Sequence, residues 1–238
     1  MLQYERSFAL RGSDFDCHNH LRPSSVLDLF QEVAGRHAEE MGLGFFDLIK
    51  DKKIWVITKV KYQIVGEVHR NEMVTVRTWP LPPSRVNYRR EYVIYGEDGR
   101  QLVLGTSEWV MAHSEKRRVL PAENLYPDGE FCEEKLFPGR IGHVPHFTSE
   151  EEGLMVCPAF THLDLNGHVN NIRYADFVMD ALHPDGERQV TMFQMDYHRE
   201  LLLGVPVRVQ VERREDCILA QGVSESGETM FSCRLESK

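Results

Sequence analysis

Hydrophobic residues near the start of the chain recur at helical spacing. From Val26 the apolar positions form one stripe on a helix of 3.6 residues per turn, with Pro23 near its first turn and Gly42 after its last. The pattern therefore predicts a helix over about 24–41. The stripe consists of Val26, Leu27, Phe30, Val33 and Ala34.

The segments after this helix are rich in β-branched and aromatic residues and are separated by turn signals such as HRN and GEDG. They predict an antiparallel meander. The four segments are IWVITKVKYQIV (54–65), EMVTVRTWPL (72–81), RVNYRREYVIY (85–95) and QLVLGTSEWVMA (101–112).

The second half of the chain repeats this order of elements. A helical stripe ends before Pro184, and strand-like segments follow it. The stripe consists of Ile172, Ala175, Met179 and Leu182, and the strand-like segments are QVTMFQMDY (189–197), VPVRVQVER (205–213), CILAQGV (217–223) and ETMFSCRLE (228–236).

Short matches between the halves support a duplication. The matches occur in the same order in both halves. The difference in residue number between matched positions falls from 148 to 135 to 128 along the chain, which indicates shorter loops in the second copy. The matched pairs are DCHNHLRP (16–23) with DLNGHVNN (164–171), Tyr62 with Tyr197, and EDG (97–99) with ESG (225–227).

One long helix per copy, preceded by one strand and followed by about four, predicts an α+β protein of two tandem hotdog domains. In each domain an antiparallel sheet wraps around a central helix. We expect residues 1–121 to form the first domain and 151–238 the second. The segment 122–150 has prolines, glycines and acids without sustained periodicity, so we expect it to be a linker.

Composition restricts the classes of function. A net charge of −9 argues against non-specific nucleic-acid binding, because the phosphates would be repelled. The five cysteines are scattered and show no zinc spacing, and no segment reaches the roughly 20 apolar residues of a membrane span. We therefore expect a cytoplasmic protein with reduced thiols and no membrane insertion.

Three blocks of sequence resemble the acyl-ACP thioesterases of plants and bacteria, which join two hotdog domains in one chain. The resemblance implies hydrolysis of acyl-ACP to free fatty acid and acyl carrier protein, which terminates fatty-acid synthesis, and it implies no metal, flavin or nucleotide cofactor. The blocks are WVITKVKYQI (55–64), RREYVIY (89–95) with GTSEWVMAHSEKRRVLP (105–121), and DLNGHVNNIRYADFVMDAL (164–182) followed by MDYHREL (195–201).

By motif match, Asp164, Asn166, His168 and Glu200 fall on the family's active-site positions. Glu200 is a candidate general base, with a pKa tuned on a partly dry strand. His168 is a candidate base or polariser, and Asn166 can hold the water or the thioester oxygen. Asp164 can orient either of these two, or it can simply form an Asx turn.

One position departs from the family pattern. Plant members usually carry a cysteine directly after the motif glutamate, whereas this chain has Leu201. Leucine cannot attack a carbonyl, so the resemblance here implies activated water as the nucleophile.

We assign Asn170 and Asn171 to capping of the second helix, and we expect backbone amides near 167–170 to form the oxyanion hole.

The first copy keeps Asp16 and His20 but has His18 in place of the motif asparagine and an apolar residue near Val65 in place of the glutamate. This predicts one working site in two copies, with the first hotdog forming the acyl-chain pocket; the same residues also suit an ordinary core. The predicted lining is Val26, Leu27, Phe30 and Val33.

Acyl carrier protein is acidic, so docking would need a basic patch, although such runs also occur on plain solvated surface. The candidates are Arg85, Arg89, Arg90, Lys116, Arg117 and Arg118.

A homodimer is left open. Three alternative functions remain: an acyl-CoA thioesterase, a non-catalytic acyl-binding protein and a hotdog dehydratase.

Overall fold

The computed structural model describes residues 2–127, 129–149, 152–184, 186 and 188–238. The helices are α1 (Pro23–Glu40), α2 (Phe45–Leu48) and α3 (Arg173–Leu182). The strands of the first half are β1 (Tyr4–Ala9), β2 (Lys53–Ile64), β3 (Met73–Pro80), β4 (Tyr88–Tyr95), β5 (Gln101–His113) and β6 (Arg118–Val119). Those of the second half are β7 (Leu154–Val156), β8 (Val190–Tyr197), β9 (Val207–Arg213), β10 (Ile218–Ser224) and β11 (Thr229–Ser237).

The predicted helices and strands are confirmed closely. The helix expected over 24–41 is α1, and every strand-like segment became a strand within about three residues of its predicted ends. The apolar stripe of α1 is buried throughout, and Pro23 occupies its first turn. In the second half the helix ends at Leu182, where His183 turns the backbone to a φ of 44° ahead of Pro184.

All strands join one antiparallel sheet in the described part of the chain. Its order is β1-β3-β4-β5-β2-β8-β11-β10-β9-β7, with β6 paired to β5. The predicted copies therefore share a sheet through the pairing of β2 with β8. At this seam Val60 pairs with Met195, and these two positions are related by the same offset of 135 that relates Tyr62 to Tyr197. The seam thus pairs a position with its own repeat, as an approximate two-fold axis requires.

Both long helices contribute to one hydrophobic core against the sheet. The Phe30 ring of α1 stacks on Tyr92 of β4 with 4.3 Å between centroids. Gly105 on β5 makes room for that ring, since a Cβ at Gly105 would lie 2.2 Å from a Phe30 ring carbon. The central helix of the first copy is therefore held by direct side-chain packing on its own strands.

The described residues between β6 and β7 form no helix or strand. This segment is tied to the seam by a buried lysine: Lys59 Nζ donates to the carbonyls of Ile141 and Gly142 at 3.0 and 3.1 Å, and it lies 3.8 Å from Asp196 Oδ2. The expected boundary between linker and second domain, 150/151, lies outside the described residues.

Candidate active site

The motif DLNGHVNN forms a compact turn ahead of α3. Asp164 Oδ1 accepts hydrogen bonds from the backbone N–H of Asn166 at 2.8 Å and of His168 at 3.4 Å. The Asp164 N–H donates to the carbonyl of His168, and Gly167 adopts a φ of 76° at the tip. Asp164 thus forms the Asx turn that was one of its two predicted roles.

The first copy contains the same turn at an offset of 148. Asp16 Oδ1 accepts from the backbone N–H of His18 at 2.9 Å and of His20 at 2.8 Å, and Asn19 takes a φ of 66° where the second copy has Gly167. The repeat therefore preserves the backbone, and the two turns differ in the side chains they present. The amide of Asn166 is present only in the second.

The loop after β8 carries Glu200 back to this turn. Glu200 lies three residues beyond the end of β8 and not on a strand, which corrects the expectation of a strand position. Its neighbour Leu201 is 2% exposed; the Leu201 carbonyl accepts from the Val169 N–H at 3.0 Å, and the Leu201 N–H donates to the Tyr174 hydroxyl at 2.9 Å. Buried backbone bonds thus hold the loop against both the turn and α3.

These bonds bring His168 and Glu200 together. His168 Nε2 lies 3.5 Å from Glu200 Oε2, with side chains 23% and 34% exposed. Burial lowers the pKa of His168 below its usual value, the charge of Arg117 lowers it further, and Asp164 opposes both. The imidazole is therefore held toward its neutral form, which is the form that can exchange protons with a neighbouring base.

The first half supplies a third member of this group. Arg117, in the turn between β5 and β6, places Nη2 against Glu200 Oε2. A guanidinium at this position favours the ionised carboxylate. Arg117 was predicted as a docking residue, and its contact with Glu200 was missed, because the contact depends on how a hairpin of the first copy folds over the second.

The expected oxyanion hole is not available in this conformation. The backbone N–H groups of 167–170 all have acceptors: the first two donate to Asp164, the third to the carbonyl of Leu201 and the fourth to the carbonyl of His162. The helix α3 begins only at Arg173. The prediction that these amides stabilise an oxyanion is therefore wrong, because residues distant in sequence already satisfy them.

The paired asparagines form hydrogen bonds in the segment just before α3. Asn170 Oδ1 accepts from the Ile172 N–H at 3.0 Å, and the Asn170 carbonyl accepts from the Arg173 N–H at 2.9 Å. The Asn171 carbonyl accepts from the Tyr197 hydroxyl at 3.1 Å. The N-cap of α3 is Ile172, with no side-chain capping bond, so the prediction that these two asparagines cap the helix is wrong: the Asn170 side chain bonds one residue too early.

A cavity of about 660 Å³ lies between the first copy and this turn. Asp164 and Asn166 are among its lining residues, together with Leu165, Asn170 and Asn171. His168 and Glu200 are not among its lining residues, so the cavity is bordered by a different part of the motif from the one that contacts Glu200. The remaining wall comes from α1, the segment 41–48 and an aromatic group, defined by Trp55, Tyr88, Trp109 and Tyr126.

The four residues predicted to line the acyl pocket lie elsewhere. Val26, Leu27, Phe30 and Val33 are at most 5% exposed and belong to the main core. None of them lines the large cavity; Leu27 and Phe30 line a second cavity of about 20 Å³. The helix that borders the large cavity is the predicted one, but it uses the neighbouring face of Gln31, Ala34, Gly35 and Ala38.

The basic candidates separate into two groups. Arg90 is buried. Arg89 forms an ion pair with Glu91 and donates hydrogen bonds to the carbonyls of Phe137 and Gly139. Neither arginine is therefore free for docking. The alternation of β4 directs Arg90 toward His37 of α1 and Arg89 toward the segment 137–139. Arg85, Lys116, Arg117 and Arg118 are exposed.

Among the described residues, no three His, Cys, Asp or Glu side chains cluster closely enough to hold a metal ion. None of the helices in the described ranges is long and apolar enough to cross a membrane. The five cysteines are free, with Cys17 and Cys157 exposed and the other three buried.

Two family models cover most of the chain. One, described as the acyl-ACP thioesterase N-terminal domain, matches residues 1–126, and the other, the acyl-ACP thioesterase C-terminal domain, matches residues 147–237. The chain belongs to the acyl-ACP thioesterase family. The resemblance predicted from the motif blocks is thereby confirmed.

Curated relatives are more distant. The chain is 24% identical over 219 residues to oleoyl-acyl carrier protein thioesterase 1, chloroplastic, of Arabidopsis thaliana, covering 84% of this chain and 60% of that protein. It is 24% identical over 218 residues to palmitoyl-acyl carrier protein thioesterase, chloroplastic, of Gossypium hirsutum, covering 84% and 52%. This family member thus spans between about half and three fifths of the length of these relatives.

Solved structures confirm the tandem hotdog fold. An acyl-ACP thioesterase from Bacteroides thetaiotaomicron superposes with a TM-score of 0.89 at 20% identity, covering 100% of this chain and 98% of that one. The 12:0-ACP thioesterase from Umbellularia californica gives 0.84 at 19% identity, with the same coverage. At these identities the likeness establishes the fold alone.

Proposed function

We propose that this protein hydrolyses acyl-ACP to free fatty acid and acyl carrier protein, and so terminates fatty-acid synthesis. The observation that carries the proposal is that the motif turn joins two features: Asp164 and Asn166 line the cavity of about 660 Å³, and His168 of the same turn lies 3.5 Å from Glu200. Membership of the acyl-ACP thioesterase family supports the same reaction.

We further propose 1–121 and 151–238 as the two hotdog units, joined by the segment 122–150.

In this proposal water is the nucleophile. Glu200, ionised beside Arg117, takes a proton from the water, directly or through the neutral His168, and the water oxygen attacks the thioester carbonyl. The carbonyl carbon then expels the thiolate of the carrier's phosphopantetheine arm, which takes up the proton. The products are a carboxylic acid and a thiol.

Asn166 takes the role of polarising the thioester oxygen. Its side-chain Nδ2 lies 3.4 Å from Asp164 Oδ2, which is a long contact, and the residue is exposed at the cavity wall. The amide can therefore turn toward an oxygen in the cavity while the Asx turn holds its backbone. Asp164 acts as the residue that positions it.

A covalent cysteine route finds no support at this site. The position after Glu200 is Leu201, a core residue, and burial raises the pKa of the buried Cys217 and Cys233 thiols. Buried thiols with raised pKa values are poor nucleophiles. Activated water is the alternative that these residues favour.

For carrier docking we propose the exposed hairpin residues Lys116, Arg117 and Arg118, which lie beside Glu200 through Arg117. An acidic carrier would approach this local patch despite the net charge of −9.

We propose the cytoplasm as the compartment, which the five free cysteines favour. A homodimer stays a prediction.

The decisive experiment measures thiol release over a ladder of acyl-ACP chain lengths, with acyl-CoA of equal length in parallel. We expect Glu200→Ala and His168→Ala to lose about 10²-fold or more in rate, as for removal of an acid–base group. Cys157→Ala, which alters an exposed thiol outside this group, is the matched control and should retain its rate.

Each rival function predicts a different outcome. Equal or better turnover of acyl-CoA would refute the carrier assignment, chain binding without thiol release would indicate an acyl-binding protein, and a conjugated double bond in the product would indicate a dehydratase. A protein-bound acyl adduct would overturn the water mechanism.

A further inference from the structure

A buried guanidinium borders the cavity without a carboxylate partner. Arg90 on β4 is 8% exposed and is among the lining residues of the cavity of about 660 Å³. Only Nη1 has partners in the described chain: it donates to His37 Nδ1 at 3.0 Å and to Thr78 Oγ1 at 3.2 Å. The N–H groups on Nε and Nη2 are left without an acceptor.

The partners of Arg90 are both neutral. Burial lowers the pKa of His37 to about 4, and the charge of Arg90 contributes, so the ring accepts through Nδ1 as an uncharged group. By contrast, the adjacent Arg89 pairs with Glu91 at 2.7 Å. The charge of Arg89 is thus balanced by a protein carboxylate, whereas that of Arg90 is not.

The acidic residues of the cavity do not compensate it either. In the part of the chain that the structure describes, none of the lining carboxylates forms an ion pair with Arg90. Glu32 pairs with Arg6 and Arg36, and Glu39 also pairs with Arg36. A buried charge without an opposite charge is costly, so such a group in a cavity wall suits a ligand that brings an oxygen acceptor.

Arg90 of β4 meets α1 at His37, some distance along the helix from the motif turn. Gln31 and Asn171 both line the second cavity of only about 20 Å³, so this part of α1 lies beside the end of the motif. His37, which contacts Arg90, lies six residues further along α1, which corresponds to about 9 Å at the helical rise. With the thioester held at the motif turn, an oxygen toward the far end of an acyl chain matches this separation better than an oxygen beta to the carbonyl.

We propose that the cavity accepts acyl chains bearing a hydroxyl or carboxylate toward the end remote from the thioester, and that Arg90 binds this oxygen through its free N–H groups. The aromatic group around the cavity supplies the apolar contact for the methylenes between the two ends. The inference deepens the proposed function, on which its kinetic test rests, by naming the substrate class of the same site.

The kinetic test compares carrier thioesters of equal chain length whose acyl groups are plain, β-hydroxy, ω-hydroxy or ω-carboxy. Over a ladder of lengths, we expect the wild type to prefer an ω-oxygenated chain by about tenfold or more in kcat/KM, as for a hydrogen bond to a charged group. The β-hydroxy chain should gain nothing. Arg90→Met should abolish the preference, so that the ratio of kcat/KM for ω-oxygenated and plain chains falls to about one, and Arg90→Lys should retain part of it.

Arg100→Met is the matched control, because Arg100 is a half-exposed arginine paired with Glu72 and Asp98 outside the cavity lining. It should keep the wild-type preference. Equal turnover of plain and ω-oxygenated chains by the wild type, or a preference that persists in Arg90→Met, would overturn the inference. The wild-type comparison remains decisive if Arg90→Met fails to fold.

A binding measurement separates this inference from the proposed function. Calorimetric titration of the wild type and Arg90→Met with the methyl esters of plain and ω-hydroxy fatty acids, which carry no free carboxylate, needs no turnover. Tighter binding of the ω-hydroxy ester that is lost in Arg90→Met supports the site even where no thioester is hydrolysed. Thiol release without such discrimination in either measurement refutes the site and leaves the proposed reaction in place.

Discussion

The ion pair between Arg117 and Glu200 leads to a pH-dependent prediction. Arg117→Met removes the positive charge that lies against the Glu200 carboxylate and that lowers the pKa of His168. Without it the ionised carboxylate is less favoured and the imidazole protonates more readily. Both changes move protonation to higher pH, so the acid limb of the kcat/KM profile should shift upward.

The size of this shift follows from distance and exposure. Two unit charges about 4 Å apart interact by about 1 kcal/mol in water and about 4 kcal/mol near a protein surface. Since the Arg117 side chain is 52% exposed, solvent screens its charge and the value of about 1 kcal/mol applies, which corresponds to about fivefold in rate. On the acid limb the rate of Arg117→Met, taken relative to its own plateau at higher pH, should therefore be about fivefold below that of the wild type, while weaker carrier docking lowers the plateau alone.

The assay is a pH profile of thiol release for the wild type, Arg117→Met and Arg117→Lys, with thermal unfolding of each. Lys52→Met is the control, because Lys52 is an exposed cation paired with Glu115 in the same hairpin. The charge-conserving lysine should restore most of the profile, and added salt should shrink the difference. An acid limb that stays in place or moves downward in Arg117→Met would refute the electrostatic reasoning.

Three further variants test the surrounding structure. Tyr174→Phe leaves the buried Leu201 N–H without its acceptor, so urea unfolding should show a loss of about 1–3 kcal/mol, and thiol release should fall with it; an unchanged protein would contradict the anchoring role. Lys59→Met leaves Asp196, 1% exposed, as a buried charge that keeps only the exposed His143 within ion-pair distance, and should cost about 3–5 kcal/mol in the same measurement, whereas a neutral effect would show the pair to be dispensable. Because the pKa of His37 is lowered to about 4, the unfolded chain binds the proton first, so the free energy of unfolding should fall by about 3 kcal/mol as pH drops from about 6.5 to 4; His37→Gln should lose this dependence, and an equal slope in both proteins would count against it.

The repeated turn illustrates how far local sequence reaches. An aspartate two and four residues ahead of its amide donors forms the same Asx turn at Asp16 and at Asp164, and the left-handed position falls on Asn19 and Gly167. These contacts lie within five residues, so the pattern alone could predict them. The same holds for α1, whose buried stripe follows from helical periodicity.

The contacts that were missed connect residues far apart in the chain. The N–H groups expected to form an oxyanion hole are satisfied partly by the carbonyl of Leu201, and Glu200 meets Arg117 across the two copies. Arg90 looked like a surface cation in a basic run, yet the alternation of β4 turns it toward α1. No local pattern reports such pairings.

By itself the sequence determined the helices, the strands and their repeated order, and the Asx turns at Asp16 and Asp164, since each depends on spacing between near neighbours within one copy. Only the tertiary structure decided that β2 and β8 join the copies into one sheet and that the turn of the second copy lines a cavity together with residues of the first. The reason is that backbone pairing and packing between distant segments are chosen by the burial of the whole chain.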